Sequence, residues 1–75
     1  MIMDFSRGDK IYKIINGNVD KSKIYEIESV KEENDGNWHD GYITTWIVAL
    51  FGEKQKFLLG LKIWGSVPEF YAEKV

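Results

Sequence analysis

Two apolar segments separated by a short charged break constrain this chain more than any other feature. The segments are residues 42–51 (YITTWIVALF) and 56–64 (KFLLGLKIW), and both are dense in β-branched and aromatic residues. Gly52, Glu53 and Lys54 interrupt them where a turn is needed. The pattern therefore predicts one long β-hairpin around which the shorter segments pack.

The register of this hairpin is predicted by placing Phe51 opposite Lys56. One face then becomes almost wholly apolar, with Thr44, Trp46, Val48, Leu50, Phe57, Leu59, Leu61 and Ile63. The opposite face is predicted to carry Ile43, Ile47, Phe51, Leu58 and Trp64. Because few other elements remain to cover this second face, we expect it to form a homodimer or to bind an obligate partner. The competing expectation is that Tyr25, Ile27 and the C-terminal turn cover it within one chain.

Length and composition predict a small cytoplasmic domain. The 75 residues make one domain, 1–75, and without cysteine its stability must come from packing or association rather than from disulfides or a thiolate metal site. The longest apolar run is too short to cross a bilayer and no secretion signal is evident, so we expect a soluble protein with no membrane association. Lysine outnumbers arginine nine to one and isoleucine is abundant, which is typical of an AT-rich bacterial or phage genome.

The formal net charge of −2 is unevenly distributed along the chain. Residues 24–41 carry six acidic side chains and one basic one, whereas residues 1–23 carry five basic and three acidic ones. Phosphate binding would normally concentrate lysine and arginine, and the sequence shows no such concentration. A protein partner with a basic segment is therefore expected, and nucleic acid is less favoured. The nucleic-acid alternative would use Arg7, Lys10, Lys13, Lys21 and Lys23 beside exposed aromatic residues.

Shorter strands are predicted before the hairpin. A turn at residues 7–9 leads into a strand over Lys10–Ile15, and Asn16-Gly17 ends it because both residues tolerate positive φ. Residues 23–31 (KIYEIESVK) fit either a strand or a short helix, and their β-branched content favours the strand. Asp35-Gly36 then gives a strong hairpin signal.

The C-terminal residues complete a barrel. Residues 68–71 are predicted to form a single 3₁₀ turn, and residues 72–75 a short last strand. The result is an all-β, small, five-stranded barrel organised on the long central hairpin.

Three short segments resemble SH3 domains. Residues 65–71 (GSVPEFY) resemble the Gly-x-hydrophobic-Pro-x-x-Tyr segment in which a 3₁₀ turn precedes the final strand of that family. Residues 5–11 (FSRGDKI) resemble its Phe-x-x-Gly-Asp-x-Ile stretch, and residues 38–41 (WHDG) resemble its Trp-Trp-x-Gly. These pieces cover about a quarter of the chain. The family's Ala-Leu-Tyr-Asp-Tyr opening is absent and the spacings are longer, so the broader SH3-like barrels, which include KOW and Tudor modules, fit better.

The resemblance implies a binding groove at particular positions. In the signalling family a tryptophan, a proline and a tyrosine line a groove for proline-rich peptides, and acidic loops grip a basic residue. The matching positions are Trp38, Pro68 and Tyr71, with Glu32, Glu33, Asp35 and Asp40 as candidate acids. The residues that we expect to bind a partner are Trp38, Asp35, Asp40, Pro68, Tyr71, Phe51 and Trp64.

No catalytic, metal-binding or cofactor-binding residues are predicted. His39 is the only histidine, and without cysteine it could complete a zinc site only with carboxylates, so a solvated loop histidine is expected. The serines lack an adjacent base, and no glycine-rich loop leads into a helix. Three tryptophans, four tyrosines and four phenylalanines exceed what so small a core hides, so some should anchor a partner. We therefore expect a non-enzymatic protein–protein interaction module, such as an inhibitor or accessory subunit, with a nucleic-acid-associated small β-barrel as the alternative.

Overall fold

The fold is all-β and consists of six antiparallel strands in one curled sheet. The computed structural model describes residues 4–36 and 42–75. The strands are β1 (Lys10–Ile15), β2 (Asn18–Asp35), β3 (Ile43–Leu50), β4 (Phe57–Ile63), β5 (Glu69–Phe70) and β6 (Ala72–Lys74). Their order in the sheet is β5-β4-β3-β2-β1-β6. Within the described ranges no helix is long and apolar enough to span a membrane.

Tyr71 brings the two edges of this sheet together. Its amide N–H donates to the carbonyl of Leu59 on β4 at 2.7 Å, and its own carbonyl accepts a hydrogen bond from the amide of Ile14 on β1 at 2.8 Å. β5 and β6, which flank Tyr71 in the chain, pair with β4 and β1 respectively. The sheet therefore forms a small, nearly closed antiparallel barrel, an architecture compatible with the SH3-like resemblance.

The core fills the inside of this barrel. Its fully or almost fully buried members are Ile11, Ile27, Trp46, Val48, Leu50, Leu59 and Ala72. Phe70 packs against this cluster, with ring centroids 5.3 Å from Trp46 and 5.5 Å from Phe5. Phe5 thus packs the segment before the first turn onto the core.

Most of the predicted elements are confirmed. The first strand has its predicted bounds, and Asn16 and Gly17 adopt φ values of 52° and 80° in the turn after it. Residues 23–31 are a strand, although they form part of the much longer β2. The central hairpin is β3 and β4. The predicted 3₁₀ turn at residues 68–71 is wrong, because Glu69 and Phe70 are extended and pair with β4, which raises the strand count from five to six.

The predicted register of the hairpin is wrong, and no single shift of β4 along β3 corrects it. Val48 lies opposite Phe57, and Ile43 lies opposite Ile63. Between these pairs the register shifts by one residue, because Ile47 lies opposite Leu58 whereas its neighbour Trp46 lies opposite Gly60. Leu59 is the additional residue of this β-bulge. Since strand side chains alternate between faces, the bulge exchanges the faces of all residues beyond it.

Three strands continue beyond the barrel as an arm, which we define as residues 30–35, 42–46 and 60–64. β1 pairs with β2 only as far as Glu26, and β5 reaches only Gly60 and Leu61 of β4. The molecule accordingly extends 41 Å along its longest axis and only 23 and 22 Å across it. We call the face of the arm that continues the core its inner face, and the opposite one its outer face.

Candidate functional site

Directly beyond Trp46 the inner face of the arm carries polar side chains, although it continues the core. Trp46 Nε1 donates to Glu32 Oε1 at 2.8 Å, and Thr44 Oγ1 donates to Asn34 Oδ1 at 2.6 Å. Lys62 lies opposite Thr44 and therefore joins this face. The apolar core thus ends at Trp46, and the side chains beyond it make polar contacts or face solvent.

On the outer face of the arm and of the adjoining barrel, the residues that β3 and β4 contribute are mainly apolar, although they face solvent. Ile43, Leu58 and Ile63 are 42%, 39% and 53% exposed. We define the outer stripe by the apolar residues of β3 and β4 that alternate with the core: Ile43, Ile47, Ala49, Phe51, Leu58, Leu61 and Ile63. An antiparallel sheet with one solvated face normally turns its polar side chains toward water. The arm inverts this pattern, which marks the stripe as a candidate contact surface.

Acidic side chains border one end of the outer stripe. Asp35 lies opposite Ile43, Glu33 opposite Thr45, and Glu69 opposite Leu61, so carboxylates flank the stripe on both sides at its arm end. The nearest lysine on this side, Lys31, already pairs with Glu33 at 3.4 Å. The arm end of the stripe is therefore acidic.

Basic side chains border the other end of the outer stripe. The guanidinium carbon of Arg7 lies 6.0 Å from the centre of the Phe51 ring. Lys56 directly precedes Phe57, which faces the core side, so alternation places it beside Leu58 on the outer face. Glu26 also lies at this end, where its carbonyl accepts the Phe51 amide, and Lys10 lies opposite Glu26 on β1. The basic side chains of Arg7, Lys10 and Lys56 outnumber the Glu26 carboxylate there, so the stripe has an acidic end and a basic end.

Two large aromatic side chains lie at the end of the arm on its inner face. The amide of Trp64 donates to the carbonyl of Tyr42 at 2.8 Å, and the two residues continue the register of Ile63 and Ile43. Trp64 is 72% exposed and Tyr42 is 49% exposed. Val67, which is 84% exposed, follows in the next turn. We call Tyr42 and Trp64 the aromatic end of the arm.

Lysine side chains cover aromatic rings near the β1–β2 hairpin. Lys13 Nζ lies 4.4 Å from the ring centre of Tyr25 and 4.9 Å from that of Phe57. Lys23 Nζ lies 4.9 Å from the Tyr25 ring and also pairs with Glu53 at 3.2 Å. These ammonium groups stabilise the barrel end through cation–π contacts.

Two carboxyl groups have lowered pKa values, and turn hydrogen bonds explain both. The backbone N–H of Ser6 and the neighbouring Lys74 ammonium lower the pKa of Asp9. The hydroxyl and amide of Ser22 lower the pKa of Asp20. Both groups are solvent-accessible and stay ionised at neutral pH, so these shifts belong to turn structure and identify no proton-transfer group.

The described residues of the predicted groove do not come together. Asp35 lies opposite Ile43 at the end of the arm, whereas Tyr71 is hydrogen-bonded to Leu59 and Ile14 in the barrel, and Pro68 precedes β5 beyond both β3 and β4. Trp38, His39 and Asp40 lie outside the described residues. Within the described ranges, no three His, Asp or Glu side chains cluster closely enough to hold a metal ion, and no enclosed pocket is present.

The predicted self-association residues share a face with one exception. Ile43, Ile47, Phe51 and Leu58 all lie on the outer stripe, but the bulge at Leu59 moves Trp64 to the inner face and brings Ile63 to the outer one. The sequence did not predict that Leu61 and Ile63 lie on the outer stripe, nor that Tyr42 lies beside Trp64 at the aromatic end. The available signal was Gly60, because an isolated glycine within a strand indicates a bulge or a close backbone approach. Self-association itself stays a prediction.

The fold and these surfaces define a small β-barrel with a projecting three-stranded arm. Comparisons with protein-family models, with curated proteins and with solved structures gave no match. Function is therefore inferred from the two faces of the arm.

Proposed function

We propose that this protein is a non-enzymatic, cytoplasmic protein–protein interaction module on an SH3-like barrel, and that it binds a protein partner through the aromatic end of its arm. The exposure of Trp64 beside Tyr42 is the observation that carries this proposal. A tryptophan that is almost three-quarters exposed leaves a large apolar area in water, and covering that area on binding is favourable. Tryptophan and tyrosine also lose little side-chain entropy on docking, which makes them frequent interface anchors.

Nearby carboxylates favour a partner with a basic segment. Glu32 lies on the inner face of the arm, and Asp35 is the last residue of the strand beside Ile43. Complementary charge speeds encounter and selects among partners. Trp38 and Asp40 belong to the segment that joins Asp35 to Tyr42, and they remain predicted members of the binding surface. An inhibitor or an accessory subunit would act through such a surface without catalytic residues.

Affinity capture from a lysate of the source cells, with this protein and matched variants as bait, tests this proposal. Trp64→Ala and Tyr42→Ala remove the aromatic end, whereas Ile24→Ser changes an apolar residue near the β1–β2 hairpin that is as exposed as Tyr42. Proteins captured by the wild type and by Ile24→Ser, but lost with both aromatic variants, are the expected result. Identical capture by all four proteins would place the partner surface elsewhere or eliminate it.

Nucleic-acid binding is a second candidate, because lysines and aromatic residues gather near the β1–β2 hairpin. Lys13 and Lys23 lie over Tyr25, and Lys21 lies 5.9 Å from the ring centre of Tyr12. The Lys23–Glu53 pair and the overall negative charge oppose it. Fluorescence anisotropy with mixed single-stranded oligonucleotides at low salt tests this candidate. Binding that falls steeply with added salt and is lost with Lys13→Gln and Lys21→Gln together supports it, whereas no binding at low salt removes it.

A further inference from the structure

We propose that the outer stripe binds a second copy of this chain, and that the two stripes pack face to face and antiparallel about a two-fold axis. In this dimer the acidic end of each stripe meets the basic end of the other. The surface lies on the opposite face of the arm from the aromatic end and shares only Asp35 with the proposed partner site, so the inference does not depend on that site.

No described segment of the chain itself covers the outer stripe. The expected intramolecular cover does not form, because Ile27 is fully buried in the core and Tyr25 packs against that core from the inside. At the C-terminal turn, Val67 is 84% exposed. Within residues 4–36 and 42–75 the exposed isoleucines and leucines of the stripe thus have no cover of their own, and a second molecule would exclude water from them.

The charges that border the stripe select the occupant and its orientation. Asp35, Glu33 and Glu69 flank the arm end, and Arg7 and Lys56 flank the other end. A partner of uniform charge would be repelled at one end. A second copy matches both ends when it is turned antiparallel, whereas a parallel copy would bring like charges together.

The position of the axis follows from the centre of the stripe. Ile47 and Leu58 lie directly opposite each other on β3 and β4, midway between the arm end at Ile43 and the loop end at Phe51. In an antiparallel two-fold dimer, Ile47 lies near its own counterpart and Ile43 lies near Phe51 of the other copy. Two twisted sheets pack in this way at about 10 Å with a small rotation between their strands.

Sedimentation velocity with charge-reversed proteins tests the pairing. One variant carries Glu33→Lys and Asp35→Lys, the other carries Arg7→Glu and Lys56→Glu, and Glu73→Lys on β6 is the control. We expect a dimeric wild type and control, at least a tenfold weaker dimer for each double variant, and recovered dimer when the two double variants are mixed or when all four changes share one chain. A monomeric wild type at millimolar concentration, or double variants that dimerise as tightly as wild type, would overturn the proposal.

Cysteine cross-linking tests the orientation, since the chain has no cysteine of its own. Ile47→Cys should form a disulfide with itself on mild oxidation, and Ile43→Cys should link to Phe51→Cys in a mixed sample but not to itself. Efficient self-linking of both Ile43→Cys and Phe51→Cys would show a parallel arrangement and refute this one. Thermal denaturation of each variant checks that it is folded. Trp64→Ala should remain dimeric, which separates a failure of this inference from a failure of the proposed partner site.

Discussion

Ile63 lies directly opposite Ile43 on the outer face of the arm, where both side chains remain about half exposed. The bulge at Leu59 produces this pairing, because one additional residue in β4 turns Ile63 outward and Lys62 inward. In this part of the arm β3 and β4 therefore present isoleucines to water, whereas Thr44 and Lys62 lie on the side of the core. This inversion is the structural basis of the contact surface that we propose on the outer stripe.

The neighbouring leucines of the bulge should differ sharply in their effect on stability. Leu59 is fully buried, whereas Leu58 is 39% exposed. Leu59→Ala should lower the free energy of unfolding by about 2–5 kcal/mol, and Leu58→Ala by less than about 1 kcal/mol in the monomer, because only the first opens a cavity. Urea denaturation at low protein concentration measures both. Equal losses would show that the bulge is placed wrongly.

Gly60→Ala should destabilise the barrel through a steric clash. A Cβ atom at Gly60 would lie 2.5 Å from Cδ1 of Phe70 and 2.8 Å from the carbonyl oxygen of Glu69. We expect a loss of about 2 kcal/mol, typical of overpacking. Phe70→Leu in the same chain should recover part of it by vacating the ring position, but not all of it, because the carbonyl remains.

The control for this clash is Gly52→Ala. Gly52 has a φ of +81°, and a Cβ atom there would meet no group within 4 Å apart from its chain neighbours, so this substitution tests backbone strain alone. Phe70→Leu should not recover stability in the Gly52→Ala background. A double-mutant cycle without coupling between positions 60 and 70 would refute the close packing of β5 on β4.

The hydrogen bond from Trp46 to Glu32 should hold the start of the arm. Glu32→Ala leaves the indole N–H without its acceptor and should cost about 1 kcal/mol. Glu32→Gln keeps an oxygen acceptor at the same position and should cost less. Chemical denaturation gives the energies, and the indole N–H resonance of Trp46 should move further in the alanine variant than in the glutamine variant. Equal effects of both variants would mean that the bond contributes nothing.

Asp9 should make stability depend on pH in the acid range. Its pKa in the folded protein lies below the usual 3.8, mainly because the Ser6 amide donates to the carboxylate and secondarily because Lys74 is close. A lowered folded pKa gives stability that is present above the unfolded pKa and is lost as the pH falls through the folded pKa. Asp9→Asn should therefore lower the melting temperature at pH 7 and converge with wild type as the pH falls well below 3.8.

Lys74→Met separates the two causes of this pKa shift. It removes the ion pair with Asp9 but keeps the amide hydrogen bond from Ser6. The melting temperature at pH 7 should fall less than in Asp9→Asn, since the amide bond is the larger cause. If the melting temperature at pH 7 fell further in Lys74→Met than in Asp9→Asn, the ion pair rather than the amide bond would be the larger cause.

Local patterns in the sequence predict the strands and turns of this barrel but not its bulges. The Asn16-Gly17 turn and the first strand follow from residue preferences alone. The bulge at Leu59 lies beside Gly60, on which Phe70 of β5 packs closely, and this contact lies outside the hairpin, so alternation within the hairpin could not reveal it. In β4 the inner positions of Phe57 and Leu59 were correctly predicted, whereas Leu61, Ile63 and Trp64, which follow the bulge, were assigned to the wrong faces.

Other differences have the same long-range origin. β2 continues from Asn18 to Asp35 because it pairs first with β1 and then with β3, and Glu28 is the additional residue where it passes from one partner to the other. Glu69 and Phe70 become a strand instead of a 3₁₀ turn because β4 offers them a free edge. The candidate surfaces depend on these pairings, so the sequence predicted an exposed apolar face but assigned Trp64 to the wrong side of it.

Isotope-filtered NMR tests the face-to-face dimer most directly, because isoleucines mark both ends and the core of the molecule. Equal amounts of protein labelled only at isoleucine δ1 methyls and of unlabelled protein are mixed, so that filtered NOEs arise only between two copies. We predict such NOEs at Ile43, Ile47 and Ile63, and none at the buried Ile11 and Ile27. Intermolecular NOEs at Ile15 or Ile24 near the β1–β2 hairpin, or none at any isoleucine, would contradict this dimer.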